Sequence, residues 1–82
     1  MHYVYLLVST SKEKYIGNTA NLEKRLNQHN AGENASTGGQ QWTLAYFEAY
    51  LSKEDALERE RKLKHDGRAR RFVYERARRS LA

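Results

Sequence analysis

The sequence predicts an α+β domain: a three-stranded antiparallel sheet with three flanking helices, in the order β-β-α-β-α-α. Three observations point there. Residues 3–8 and 14–17 are rich in strand-favouring side chains and are separated only by a short polar segment, which is the pattern of a hairpin. Residues 42–51 show a further alternating apolar stretch, read as a third strand. The remaining segments carry Leu, Ala and charged residues at helical spacing. Three strands cannot cover themselves, so the helices must pack on the sheet.

Each element has a local reason. Tyr3, Val4, Tyr5, Leu6, Leu7 and Val8 form an unbroken apolar run, so the first strand should be central and covered on both faces. Tyr15 and Ile16 lead into Gly17, which is expected to end the second strand. Thr19 or Asn21 can cap the first helix, expected over about residues 21–30, by accepting from a free backbone N–H. Residues 31–41 are rich in Gly, Ser, Thr, Asn and Gln and read as a loop. In the third strand Leu44, Tyr46 and Tyr50 are expected on one side, with Ala45, Phe47 and Ala49 on the other. Ser52 followed by Asp55 resembles a capping box opening a second helix that runs to about Lys64. Its apolar stripe is Ala56, Leu57 and Leu63. His65, Asp66 and Gly67 mark a stop and restart, with Gly67 supplying the permissive backbone. A third helix then turns Ala69, Phe72, Val73, Ala77 and Leu81 inward and its arginines outward.

At 82 residues the chain is expected to form one domain, residues 1–82, with a small core. It has no Cys, so disulfides and thiolate metal sites are excluded. No apolar run has membrane-spanning length and no secretory signal is visible, so the expectation is a cytoplasmic protein without a membrane partner. The formal charge is +5 and unevenly placed. From Arg59 to Arg79 ten Lys or Arg face Glu60, Asp66 and Glu75, while the remainder carries five Lys or Arg against seven acids. A basic block beside a slightly acidic body suits a polyanion partner. A solubilising Arg-rich helix has the same composition.

Arg25 and His29 are four residues apart on the first helix, so both project from one rim. A planar cationic fork beside an imidazole that titrates near neutrality suits a phosphate ester, although the same spacing also describes an ordinary solvated face. Tyr5 and Tyr15 lie on adjacent antiparallel strands, where side chains can meet. Attack on an anionic phosphodiester needs cationic help. Hard ions such as magnesium take one or two carboxylates and complete their shell with water and phosphate. Glu54, Asp55, Glu58 and Glu60 are all available, and spacing alone does not choose among them. Glu60 also stands four residues before Lys64, a favourable helical ion pair.

Tyr3-Val4-Tyr5, then Tyr15-Ile16-Gly17, then Arg25, His29 and Glu60, occur in an order that resembles the GIY-YIG nuclease superfamily, most closely its small single-domain (UPF0213-like) members. The likeness runs from about residue 2 to residue 64. It implies a metal-dependent phosphodiesterase that cuts DNA, single-stranded, duplex or damaged, as in DNA repair. It also implies roles. Tyr5 would be the general base, directly or through water, and Tyr15 would support it and help position the phosphate. Arg25 would hold the scissile phosphate, His29 would orient or relay protons, and Glu60 would ligate Mg2+ or Mn2+. An unperturbed tyrosine is a poor base at neutral pH, so Arg25, Lys14 or the metal would have to depress the Tyr5 pKa.

Two positions depart from the pattern. The glycine of the first motif is Tyr3, and the late Asn that larger members carry near the metal carboxylate has no equivalent after Glu60. Lys14, Thr37, Arg68, Arg70 and Arg71 are expected to contact the nucleic-acid backbone, with Arg76, Arg78 and Arg79 on the same basic helix. Such contacts position a strand without reading its sequence. The assembly is expected to be a monomer, or a homodimer through Phe72 and Val73 of the third helix. A non-catalytic nucleic-acid-binding module would share the basic helix and the aromatic surface. Occupation of all five catalytic-type positions by competent residues favours the enzyme.

Overall fold

The computed structural model describes residues 1–32 and 39–81. The elements follow as β1 (His2–Ser9), β2 (Lys14–Thr19), α1 (Leu22–Asn30), β3 (Trp42–Tyr50), α2 (Lys53–His65), α3 (Gly67–Arg76) and a terminal turn α4 (Arg78–Leu81). The sheet order is β2-β1-β3, antiparallel throughout. The apolar run is therefore the central strand, as its two-faced hydrophobicity requires. Thr37 lies outside the described residues.

Alternation along β1 divides the core in two. Val4 and Leu6 join Ile16, Ala56, Leu63, Val73 and Ala77 beneath α2 and α3. Tyr5 and Leu7 face the other way, against Trp42, Tyr15, Leu22, Leu26 and Leu44 beneath α1. Each cap has a side chain of the expected kind. Asn21 accepts from the Lys24 amide and opens α1, while Ser52 accepts from the Asp55 amide and opens α2. The carboxylate that meets the Ser52 hydroxyl is that of Glu54.

Several expectations change. Gly17 does not end β2, which runs to Thr19, because Gly17 pairs directly with Tyr5 within the ladder. β3 does not alternate simply. Leu6 pairs with Tyr46 and Leu7 with Leu44, so Ala45 is an extra residue in a β-bulge. The bulge resets the phase: Leu44 faces α1, whereas Ala45, Tyr46 and Tyr50 pack beneath α2 and α3. Leu57 is 43% exposed, and the inward face of α2 is Ala56, Arg59, Glu60 and Leu63. The break before α3 is made by Asp66, whose extended backbone ends α2 and whose carboxylate caps the Arg68 and Ala69 amides. Gly67 is simply the first residue of α3. Val73 and Ala77 are buried as expected, but Phe72 is 55% exposed. One side of α3 suffices to cover the sheet, and Phe72, next to Val73, turns beyond it.

Candidate active site

The site begins with the pairing of Tyr5 and Gly17 across β1 and β2. A Cβ at position 17 would sit 2.5 Å from the Tyr5 hydroxyl, 2.7 Å from its Cζ and 3.0 Å from Cε1 of Tyr15. The glycine is required by this close approach: the Tyr5 phenol lies over the bare backbone of β2. The hydroxyl then meets two groups from α1. It is 3.0 Å from His29 Nε2, and Arg25 Nε donates to it at 3.4 Å. Arg25 and His29 are one helical turn apart and converge on one oxygen. The Tyr15 ring packs edge-on to His29, with centroids 4.7 Å apart, and stands 6.3 Å from the Tyr5 ring.

The position of His29 is fixed from the end of its helix. Asn30 donates to the Trp42 carbonyl and accepts from the Trp42 amide, tying the end of α1 to the start of β3. His29 is fully buried. Burial, together with the Arg25 charge, pushes its pKa below the ordinary value, which favours the neutral imidazole. Burial also raises the Tyr5 pKa. The Arg25 hydrogen bond opposes that rise and the neighbouring Tyr15 adds to it. The Arg25 guanidinium is held more firmly charged, chiefly by its hydrogen bond to Tyr5.

Lys14 is not the neighbour of Tyr5 that the sequence suggested. Tyr15 packs beneath α1 and Ile16 beneath α2 and α3, so alternation sends Lys14 to the α3 side. There its ammonium lies 5.2 Å from the centre of the Tyr74 ring. The depression of the Tyr5 pKa expected from Lys14 is therefore absent. The Arg25 guanidinium lowers the Tyr5 pKa, and burial outweighs it.

Glu60 stands on α2, and its charge adds to the rise of the Tyr5 pKa. Asn18, in phase with Ile16, donates to Glu60 Oε1. Lys64 Nζ pairs with Glu60 Oε2 at 3.0 Å and stands 5.9 Å from the centre of the Tyr15 ring. The ordinary helical ion pair and the placement near the tyrosines thus coexist. An Asn does stand beside this carboxylate, but it comes from β2. Sequence reading missed Asn18; its signal was its phase with Ile16, directly after Gly17.

Among the described residues no group of three or more His, Cys, Asp or Glu gathers to hold a metal. A single carboxylate, fixed by an amide and only 16% exposed in its side chain, matches the way magnesium is held when water and substrate phosphate complete its shell. Glu60 would fit a divalent ion in that sense; here its counter-ion is Lys64.

The remaining basic residues separate. Arg70 donates to the carbonyls of Leu63 and Lys64 and closes the end of α2. That use accounts for its partial burial. Arg68 and Arg71 are exposed on α3.

A family model described as the GIY-YIG catalytic domain matches residues 1–73. A UPF0213 protein of Natronomonas pharaonis is 38% identical over 72 residues, which span 85% of each chain. Another from Clostridium perfringens is 42% identical over 62 residues, covering 73% of this chain and 67% of that one. The solution NMR structure of a UPF0213 protein from Bacillus halodurans superimposes with a TM-score of 0.58 at 28% identity, over 93% of this chain and 85% of that chain. No helix among the described residues is long and apolar enough to cross a membrane.

Proposed function

The chain belongs to the GIY-YIG family, whose members are in general nucleases acting on nucleic acid, and from that premise we propose that it is a divalent-metal-dependent endonuclease hydrolysing the phosphodiester bonds of DNA. The observation that carries this reading is the Tyr5 hydroxyl held between His29 Nε2 at 3.0 Å and Arg25 Nε at 3.4 Å. Nothing in ordinary core packing requires a buried phenol, a buried imidazole and a guanidinium to converge on one oxygen.

Tyr5 does not act as a preformed phenolate, because burial raises its pKa. A relay solves the problem. Neutral His29 presents Nε2 as an acceptor for the Tyr5 proton. The attacking water then passes one proton to Tyr5 Oη while the Tyr5 proton moves to Nε2. The resulting hydroxide attacks phosphorus, and the bond to the leaving oxygen breaks. That oxygen takes up a proton from solvent, while the proton on Nε2 passes back through Tyr5 to solvent, restoring the neutral imidazole. Burial of His29 favours its starting neutral form, which is the form a base needs. Arg25 remains charged throughout and holds the phosphate oxygens as charge develops on them. Tyr15 orients the imidazole by edge-on packing. Glu60 would hold the divalent ion, which when bound neutralises charge on the phosphate and the leaving oxygen.

The test is cleavage of end-labelled single-stranded DNA, duplex DNA and RNA at low salt, with magnesium, manganese or chelator. Glu60→Ala and Tyr5→Phe run beside wild type, each checked for folding by circular dichroism. Metal-dependent cutting that both substitutions abolish supports the reading and identifies the preferred polymer. Binding without cutting, unaffected by Glu60→Ala, overturns it in favour of a non-catalytic binding module.

A further inference from the structure

A groove of about 400 Å³ runs between α2 and α3 in the helical layer beneath which Val4 and Leu6 pack, whereas Tyr5 lies under α1. It is lined by Arg59, Lys62, Asp66, Arg68, Phe72 and Arg76. Four of these are cations. The one acid, Asp66, is engaged in capping the amides of Arg68 and Ala69. One wall is built with care. Arg59 donates from Nε and Nη2 to the two oxygens of Glu48 at 2.9 and 3.1 Å. The hydroxyls of Tyr46 and Tyr50 donate to the same carboxylate, each at 2.6 Å. Arg59 is thereby fixed in orientation. Phe72 is more than half exposed in this charged setting, although an aromatic ring gains more than most side chains from burial.

We propose that this groove is an accessory site for a single-stranded nucleic acid, with phosphates on Lys62, Arg68 and Arg76 and an unpaired base stacked on Phe72. A cationic groove alone would suit any polyanion. The exposed ring among the cations selects among polyanions, because stacking requires an unpaired base and tolerates any sequence. The site deepens the nuclease reading by giving the small domain a hold on the strand away from the reacting phosphate. It rests on nucleic acid being the substrate but not on cleavage.

The experiment is fluorescence anisotropy of labelled oligothymidylate, and of a duplex, with the full chain in chelator, so that nothing is cut and the outcome is independent of catalysis. Phe72→Ala should weaken single-strand binding by roughly five-fold or more, from stacking energies of about 1 kcal/mol and upward per base, while duplex binding is little changed. Phe72→Tyr should restore it. Neutralising Lys62, Arg68 and Arg76 together to Gln should reduce the slope of log affinity against log salt by about 2, at about 0.7 per phosphate contact on a single strand. A 2-aminopurine base in the oligonucleotide should be quenched by wild type, which keeps the proposal testable should a variant fold poorly. Unchanged single-strand affinity in Phe72→Ala, or equal loss for both strand states, overturns the proposal. So does displacement of the oligonucleotide by poly-glutamate at equal charge, which would mark the groove as a site for an acidic protein.

Discussion

Gly17→Ala should destabilise the fold and disable the site together. Glycine within a strand ordinarily costs stability relative to alanine, so at an unconstrained position this change would be neutral or favourable. Here the new Cβ would stand 2.5 Å from the Tyr5 hydroxyl and 2.7 Å from Cζ, about 1 Å inside a normal contact of about 3.5 Å. Tyr5 has nowhere to go. It is 3% exposed, packed with Leu7 and Trp42, and held by His29 and Arg25. Forcing the extra carbon in costs about 1–3 kcal/mol by overpacking. Displacing the phenol from buried His29 adds about 1–3 kcal/mol for a broken buried hydrogen bond. Together these terms give about 2–6 kcal/mol, less the roughly 0.5–1 kcal/mol by which alanine outdoes glycine within a strand. Each kcal/mol that remains should lower Tm by about 4–8 °C in a domain this small. Thermal and urea melts followed by circular dichroism measure it. In a Tyr5→Phe background the closest contact is gone, and the penalty should shrink, giving a coupling of about 0.5–3 kcal/mol between the two positions. If Gly17→Ala melts at or above wild type, the close approach and the role given to this glycine are both refuted.

Other outcomes follow from the same geometry. His29 is held below its ordinary pKa of 6.5, so the unfolded chain binds its proton first; its contribution to stability should be complete above that value and decline as pH falls below it. His29→Gln should flatten this part of a urea-midpoint-against-pH profile. Glu48 acts in a different window. Burial alone would raise its carboxyl, but Arg59, Tyr46 and Tyr50 outweigh that and hold it at about 2 instead of 4.5. Its stabilisation is present above 4.5 and disappears as pH falls through about 2, and Glu48→Gln should remove that acid-side slope. Asn18→Ala should raise the magnesium concentration needed for half-maximal cleavage on the order of ten-fold, as for loss of a partner that orients a metal ligand; an unchanged magnesium titration would remove Asn18 from the site. Leu63→Ala should cost about 2–5 kcal/mol, whereas Leu57→Ser should stay within about 0.5 kcal/mol, a contrast that equilibrium unfolding would show directly.

Much of this molecule is written locally in its sequence. The apolar run of β1 determined a central, doubly covered strand, because neither of its faces tolerates water. Asn21 and Ser52 determined helix starts, because capping uses only neighbouring amides. The four-residue spacing of Arg25 and His29 placed them one turn apart on any helix that formed. Tertiary structure decided the rest. Whether Gly17 ends a strand or makes room for a ring depends on what lies opposite, and Tyr5 lies there. The bulge at Ala45 depends on the register with β1 and reverses which side Tyr46 faces. Lys14 and Tyr15 are adjacent in sequence but go to opposite faces, so only the packing of α1 and α3 separates their surroundings. Glu60 is one of several acids on α2, and its distinction comes from Asn18, a residue 42 positions earlier. Phe72 satisfied the inward pattern of α3, but the sheet offers only as much surface as Val73 and Ala77 already cover. Local periodicity states which side chains prefer burial; the limited area of a three-stranded sheet decides which of them obtain it.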